Sequence, residues 1–189
     1  MKMVKLQARS APAALESGQV NALLRSIQLT HNPERNTAIV KMMLQTGLRI
    51  SECAKLICKD IEFGERSGVV TVRYSKGDKT RRVPLNKSAR QALADYVALQ
   101  LDVAATLKAI AKAWSRLPKQ QPLLLSKRGT QLSTREVGRM FQQQVQFCAA
   151  RETVPAQTTL HSLRHTFATH YLKRHPGDLI GLAWLLGHS

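Results

Sequence analysis

One block of residues breaks an otherwise helical pattern and restricts the folds open to this chain. Residues 68–75 read G-V-V-T-V-R-Y-S and residues 80–85 read T-R-R-V-P-L, with Lys76-Gly77-Asp78-Lys79 between them. β-Branched side chains keep their preferred rotamers in a strand, and a glycine-aspartate pair suits a tight reversal, so the block predicts one hairpin. Pro84 lacks an N–H and belongs at a sheet edge or a strand end. Residues 61–63 offer a short third strand.

Around this block the spacing is helical. Apolar Leu15, Val20, Leu23 and Leu24 predict a helix over 14–25, with Ile27 just beyond. Residues 36–45 are apolar nearly all round and predict a buried helix, which Gly47 stops. Ser51 is the expected cap of a short helix over 52–57, with Glu52 in its first turn. Asn86 or Ser88 opens a helix through Leu101 that either continues or restarts before Pro118. Residues 122–126 predict either a short strand or a buried connector. Ser133 with Glu136 forms a capping box for a helix reaching about Arg151. Thr159 opens another helix to about Arg174, ended by Pro176-Gly177. Asp178 caps a last one through Leu186, with Gly187 as its stop. The fold class expected is therefore α+β, mainly α, with one small antiparallel sheet.

At 189 residues, 43% of them apolar, the chain can build one good-sized core and is not a disordered segment. Its charge is unusual. Lys and Arg total 29 against 12 Asp and Glu, a formal +17. Such an excess repels itself in a compact state unless a polyanion is the partner. An anionic membrane surface would favour basic residues gathered on one amphipathic helix, whereas here they run from Lys2 to Arg174. Nucleic acid is the expected partner. No run approaches the ~20 apolar residues that span a bilayer, and basic residues 1–10 lead into no apolar core of a secretory signal. Cys53, Cys58 and Cys148 lack Cys-x-x-Cys spacing and read as buried or free thiols of a reducing cytoplasm.

Four segments carry the candidate chemistry. In T-G-L-R-I-S-E, residues 46–52, Arg49 sits in a tight link beside a helix start, placed to present its planar fork to an anion. A salt bridge to Glu52 or Asp60 is the ordinary alternative. In the hairpin, Lys76, Lys79, Arg81 and Arg82 crowd one turn, which is either a polyanion contact or a solvated loop. In L-H-S-L-R-H, residues 160–165, His161 and Arg164 are one helical turn apart beside an apolar stripe of Leu160, Leu163 and Phe167. His161 and His165 have metal-compatible spacing, but no carboxylate accompanies them, and no metal is expected. In W-L-L-G-H-S, residues 184–189, the glycine stop places His188 just past a buried helix end.

Taken together, T-G-L-R-I-S-E, K-G-D-K-T-R-R-V-P-L, H-S-L-R-H-T-F-A-T-H and L-L-G-H-S resemble the tyrosine recombinases, among them the phage integrases and Xer-like enzymes, in order and approximate separation. The resemblance runs from about Leu15 to Ser189. It implies the DNA breaking-rejoining fold of that family's catalytic domain over 15–189, after a lead-in of residues 1–14 and without the family's N-terminal core-binding domain. Residues 103–121 read as a variable insertion. The implied reaction is site-specific DNA recombination and integration through a phosphotyrosyl intermediate, without metal or cofactor. Arg49 and Arg164 match the residues that hold the non-bridging phosphate oxygens. Lys76 matches the general acid for the leaving 5′-oxygen, with Lys79 as its alternative. His161 matches the residue that assists proton transfer around the nucleophile, and His188 a donor to the scissile phosphate. Lys79, Arg81 and Arg82 are expected to contact DNA, and Glu52 to brace the arginines.

The implied partner is double-stranded DNA, with self-association on DNA in the full-length protein and a bacterial or archaeal cytoplasmic location. The family's nucleophilic tyrosine lies beyond the position of His188. Tyr74, Tyr96 and Tyr171 read as packing residues, so the expectation for residues 1–189 is DNA binding without cleavage. A non-catalytic DNA-binding protein of the same fold is the alternative. RNA binding is disfavoured by an aromatic content of 5%, which supplies few stacking platforms. A type IB topoisomerase is disfavoured by the brevity of the chain.

Overall fold

The computed structural model describes residues 13–73 and 80–187. Helices α1 (Ser17–Ile27), α2 (Pro33–Thr46) and α3 (Ile50–Ala54) precede strands β1 (Ile61–Phe63), β2 (Gly68–Arg73) and β3 (Thr80–Pro84). Helices α4 (Lys87–Leu101), α5 (Leu107–Ala113), α6 (Thr134–Ala149), α7 (Leu160–Arg174) and α8 (Leu179–Leu186) follow. The strands form one antiparallel sheet in the order β1-β2-β3, with Val70 opposite both Ile61 and Val83. This is the mainly helical α+β architecture that the pattern predicts.

The centre of the molecule is α2. Ala38, Ile39, Val40 and Met42 are fully buried and Met43 nearly so, which explains a helix apolar on every side. It packs on α1, α3, α4 and α7, so the link at its C-terminus is held from several directions. Pro33 at its first turn starts it three residues earlier than the apolar pattern alone suggests, because a helix start needs no N–H from that residue. Gly47 ends it in a left-handed conformation, φ +65°. A Cβ there would lie 2.4 Å from Phe167 Cδ1 and 2.8 Å from Leu186 Cδ2. Gly47 therefore also lets the link approach α7 and α8 closely.

Helix α4 stops at Asp102, which is itself left-handed (φ 52°), so α4 and α5 are separate helices. Residues 103–121 are a packed part of the domain. Ile110, Ala113 and Leu117 are buried in the main core, and Trp114 stacks on Phe63 of β1 with ring centroids 4.8 Å apart. Residues 122–126 form a buried connector with isolated bridges, Ile57 to Pro122 and Leu125 to Gln131, rather than a strand of the sheet. The expected capping box stands at the start of α6: Ser133 Oγ accepts from the Glu136 N–H at 3.2 Å, and the Glu136 carboxylate accepts from the Ser133 N–H at 3.2 Å. All three cysteines are buried and free. Burial, with the Glu52 carboxylate nearby, pushes the Cys53 thiol up to about 12, so it stays protonated and unreactive.

Candidate functional site

The site grows from the link between α2 and α3. The chain turns at Gly47, buries Leu48 completely, and presents Arg49 in an extended conformation (φ −71°, ψ 151°) as the residue capping α3. The helix thus begins at Ile50, two residues before the start expected from a Ser51 cap. The cause is Glu52. It occupies the third helical position, and its Oε2 accepts from the Arg49 N–H at 2.8 Å, closing one half of a capping box. The Arg49 side chain, 41% exposed, lies over the same carboxylate with Nη1 3.4 Å from Oε1. The ion pair considered for Arg49 is therefore made with Glu52. Asp60, the other candidate, is buried and pairs with Arg73 while accepting from the Ile57 N–H at 3.0 Å.

Glu52 is shared with a second arginine. Arg81 of β3 is 2% exposed, and its two terminal nitrogens donate to the two Glu52 oxygens, each at 2.9 Å. Its Nε donates to the Leu185 carbonyl at 2.7 Å. Burial alone would push the Glu52 carboxyl up. The Arg81 hydrogen bonds, the Arg49 N–H and both guanidinium charges outweigh it and hold the group below the usual carboxylate range. The expected bracing role of Glu52 has this geometry.

Arg81 stands differently from the surface DNA contact that the basic hairpin suggested. In β3 the exposure alternates: Thr80, Arg82 and Pro84 point out, while Arg81 and Val83 point in. Strand pleating puts Arg81 on the core side, where desolvation is offset by the bidentate carboxylate. Arg82 faces solvent, 57% exposed, beside Glu62 at 2.7 Å, an exposed ion pair of small energetic weight.

Helix α7 supplies the third arginine. Arg164 is 6% exposed, and its nitrogens donate to the Gly47 carbonyl at 2.5 Å and to the Leu186 carbonyl at 2.7 Å. These bonds join α7 to the Arg49 link and to the last turn of α8, whose C-terminal carbonyls have no partners within their own helix. His161 lies one turn before Arg164 on α7 and is exposed, as is His165. Arg49, Arg164 and the end of α8 are thus brought together, with His161 on the helix that carries Arg164. Lys76, Lys79 and His188 lie outside the described residues. The strands that flank the first two pair through Arg73 and Thr80, and the Leu185 and Leu186 carbonyls that precede the third are gripped by Arg81 and Arg164.

A cleft of about 300 Å³ opens beside this cluster, lined by Arg49, Glu52, Lys55, Asp60 and Arg73 among others. The sequence reading missed Lys55 and Arg73. Arg73 ends a strand of alternating exposure in which it points outward, and that parity was the available signal. Of the tyrosines, Tyr96 is buried with its hydroxyl accepting from the Leu125 N–H at 3.0 Å. Tyr171 is only partly buried: its hydroxyl donates to Asp178 at 2.6 Å, tying α7 to the cap of α8. Tyr74 lies outside the described residues. Chemically, the cluster offers guanidinium donors on rigid elements beside an open cleft, which suits a phosphodiester. Among the described residues no group of three or more His, Cys, Asp or Glu could hold a metal ion, and no helix is long and apolar enough to cross a membrane.

Comparison with known proteins gives a consistent picture. Residues 13–189 match the model of the phage integrase family. The chain is 35% identical over 182 residues to the tyrosine recombinase XerD of Xanthomonas axonopodis pv. citri (strain 306), covering 96% of this chain and 56% of that protein. It is 33% identical over 156 residues to XerC of Thermodesulfovibrio yellowstonii, covering 82% and 47%. The chain therefore spans about half the length of these relatives. Among solved structures, the XerA recombinase superposes with a TM-score of 0.71 at 25% identity, over 96% of this chain and 57% of that one. The Tn1549 transposon integrase in complex with transposon right end DNA superposes with a TM-score of 0.70 at 26% identity, over 97% and 61%.

Proposed function

Because the chain belongs to the phage integrase family, the tyrosine recombinases, we propose that it serves site-specific DNA recombination by strand cleavage and rejoining on duplex DNA. The observation that carries this reading is the pair of bonds from Arg164 to the Gly47 and Leu186 carbonyls. They draw three segments far apart in the chain into one site, and those are the segments whose family counterparts surround the scissile phosphate. The net charge of +17 supplies the counterion-releasing attraction that a DNA partner requires.

In the proposed reaction a tyrosine hydroxyl, on a segment the resemblance places beyond His188, attacks the phosphorus in line. The bond from phosphorus to the 5′-oxygen breaks as the tyrosyl bond forms. Lys76 gives its proton to the leaving 5′-oxygen, and His161 assists removal of the tyrosine proton. Negative charge grows on the non-bridging oxygens, where Arg49, Arg164 and His188 donate hydrogen bonds. Attack by another strand's 5′-hydroxyl reverses the step, so the number of phosphodiester-type bonds is conserved and no nucleotide is hydrolysed. Lys79 and Arg82 extend the contact along the backbone, several copies assemble on the DNA, and the setting is a bacterial or archaeal cytoplasm.

The test is salt-dependent binding to a short duplex, followed by fluorescence anisotropy. Arg49→Met is expected to weaken binding and to lower the slope of log affinity against log salt by about 1, the loss of one phosphate contact. A slope equal to that of the parent would refute the phosphate role of Arg49.

A further inference from the structure

We infer that Arg81 is a positioning residue of this site, a buried guanidinium that sets the geometry of Arg49 from within and touches no DNA. The inference rests on the phosphate reading of Arg49 just given. Its basis is the set of three elements that one side chain joins. The fork of Arg81 takes both oxygens of Glu52, each at 2.9 Å, and Glu52 in turn holds the Arg49 N–H at 2.8 Å and lies 3.4 Å from its Nη1. The Nε of the same residue takes the Leu185 carbonyl at 2.7 Å, three residues before His188. Arg81 itself follows Thr80, the first described residue after the segment that holds Lys76 and Lys79. One planar group thus fixes strand β3, the end of α8 and the Arg49 link relative to one another.

Full engagement of its fork excludes the ordinary role, because Nε and both terminal nitrogens each donate to a protein acceptor. At 2% exposure, with its donors directed at a carboxylate and a helix-terminal carbonyl, Arg81 presents no face to a duplex. Lysine cannot replace it. A guanidinium offers donors in a fixed fork that reaches three acceptors at once, whereas an ammonium is a point charge on a flexible stem. Charge alone would satisfy a phosphate contact; the fork is required only for holding position.

The experiment separates the two. Salt slopes for duplex binding are measured for Arg49→Met, Arg81→Lys, the double variant and Glu52→Gln, each below its own melting temperature. Positioning predicts that Arg81→Lys lowers the slope by about 1, as Arg49→Met does, and that the double variant falls by about 1 rather than about 2, because both changes remove the same phosphate contact. Glu52→Gln keeps the shape and one acceptor oxygen, so it tests the brace in a folded protein. It is expected to weaken binding although it removes a negative charge. Arg81→Lys behaving as the parent, an additive double variant, or tighter binding by Glu52→Gln would each overturn the inference. An unchanged slope for Arg49→Met alone would instead remove the phosphate reading beneath it.

Discussion

Gly47→Ala is expected to lower the unfolding free energy by about 2–5 kcal/mol. Two costs combine. A non-glycine residue at the left-handed φ of +65° costs about 1–2 kcal/mol. A methyl group placed 2.4 Å from Phe167 Cδ1 and 2.8 Å from Leu186 Cδ2 adds about 1–3 kcal/mol for the shifts it forces. Gly129 is the control. It has φ +73° and open space around its Cα, so Gly129→Ala is expected to cost only about 1–2 kcal/mol. Equilibrium denaturation with urea measures both, and equal losses would contradict the close approach of the Gly47 link to α7 and α8. The functional consequence follows from the same atoms. The Gly47 carbonyl accepts from Arg164, so forcing the link away from α7 also separates Arg49 from Arg164.

Glu52→Leu is expected to be as damaging, at about 3–5 kcal/mol, because it strips the carboxylate from a guanidinium that is 2% exposed. The same group makes stability depend on pH, and the sign is determined by the direction of its shift. The folded carboxyl is held below the usual range by Arg81 and Arg49 despite burial, while in the unfolded chain it titrates near its ordinary value of about 4.3. The folded state therefore favours the ionised form. Its contribution is fully present above the unfolded value and is lost as pH falls from about 5 through the lower folded value. Melting temperatures measured between about pH 6 and pH 2 should fall less steeply in Glu52→Gln than in the parent. Identical slopes in the two proteins would show that the carboxylate is not held as the structure describes.

Much of this arrangement was legible because its signals are local. The hairpin announced itself by β-branched alternation, the buried α2 by apolar residues on every side, and the caps at Ser133 and Asp178 by side chains that satisfy nearby N–H groups. Arg49 and Arg164 could be singled out because each stands in a short motif beside a helix boundary or an apolar stripe. What escaped depends on distant contacts. The Arg81 side chain meets Leu185 across 104 residues and Glu52 across 29, and no local spacing encodes either meeting. The crowded charge of the hairpin pointed to the surface, while the parity of Arg81 with Val83 pointed inward; a bidentate carboxylate decides in favour of parity. The cap of α3 lies at Arg49 rather than at Ser51 for a local reason. Ser51 is the better intrinsic cap, but Glu52 reaches back to the Arg49 N–H. Within residues 103–121, Ile110, Ala113 and Leu117 are buried in the main core and Trp114 packs on Phe63, contacts that the local spacing did not announce.

A crystal structure of the chain with a short DNA duplex tests the convergence of these groups most directly. One backbone phosphate is expected within hydrogen-bond reach of Arg49 and Arg164, with His161 and Lys76 beside the same phosphorus and Arg81 still on Glu52. A duplex lying against another face of the protein, with those side chains far from every phosphate, would contradict the account.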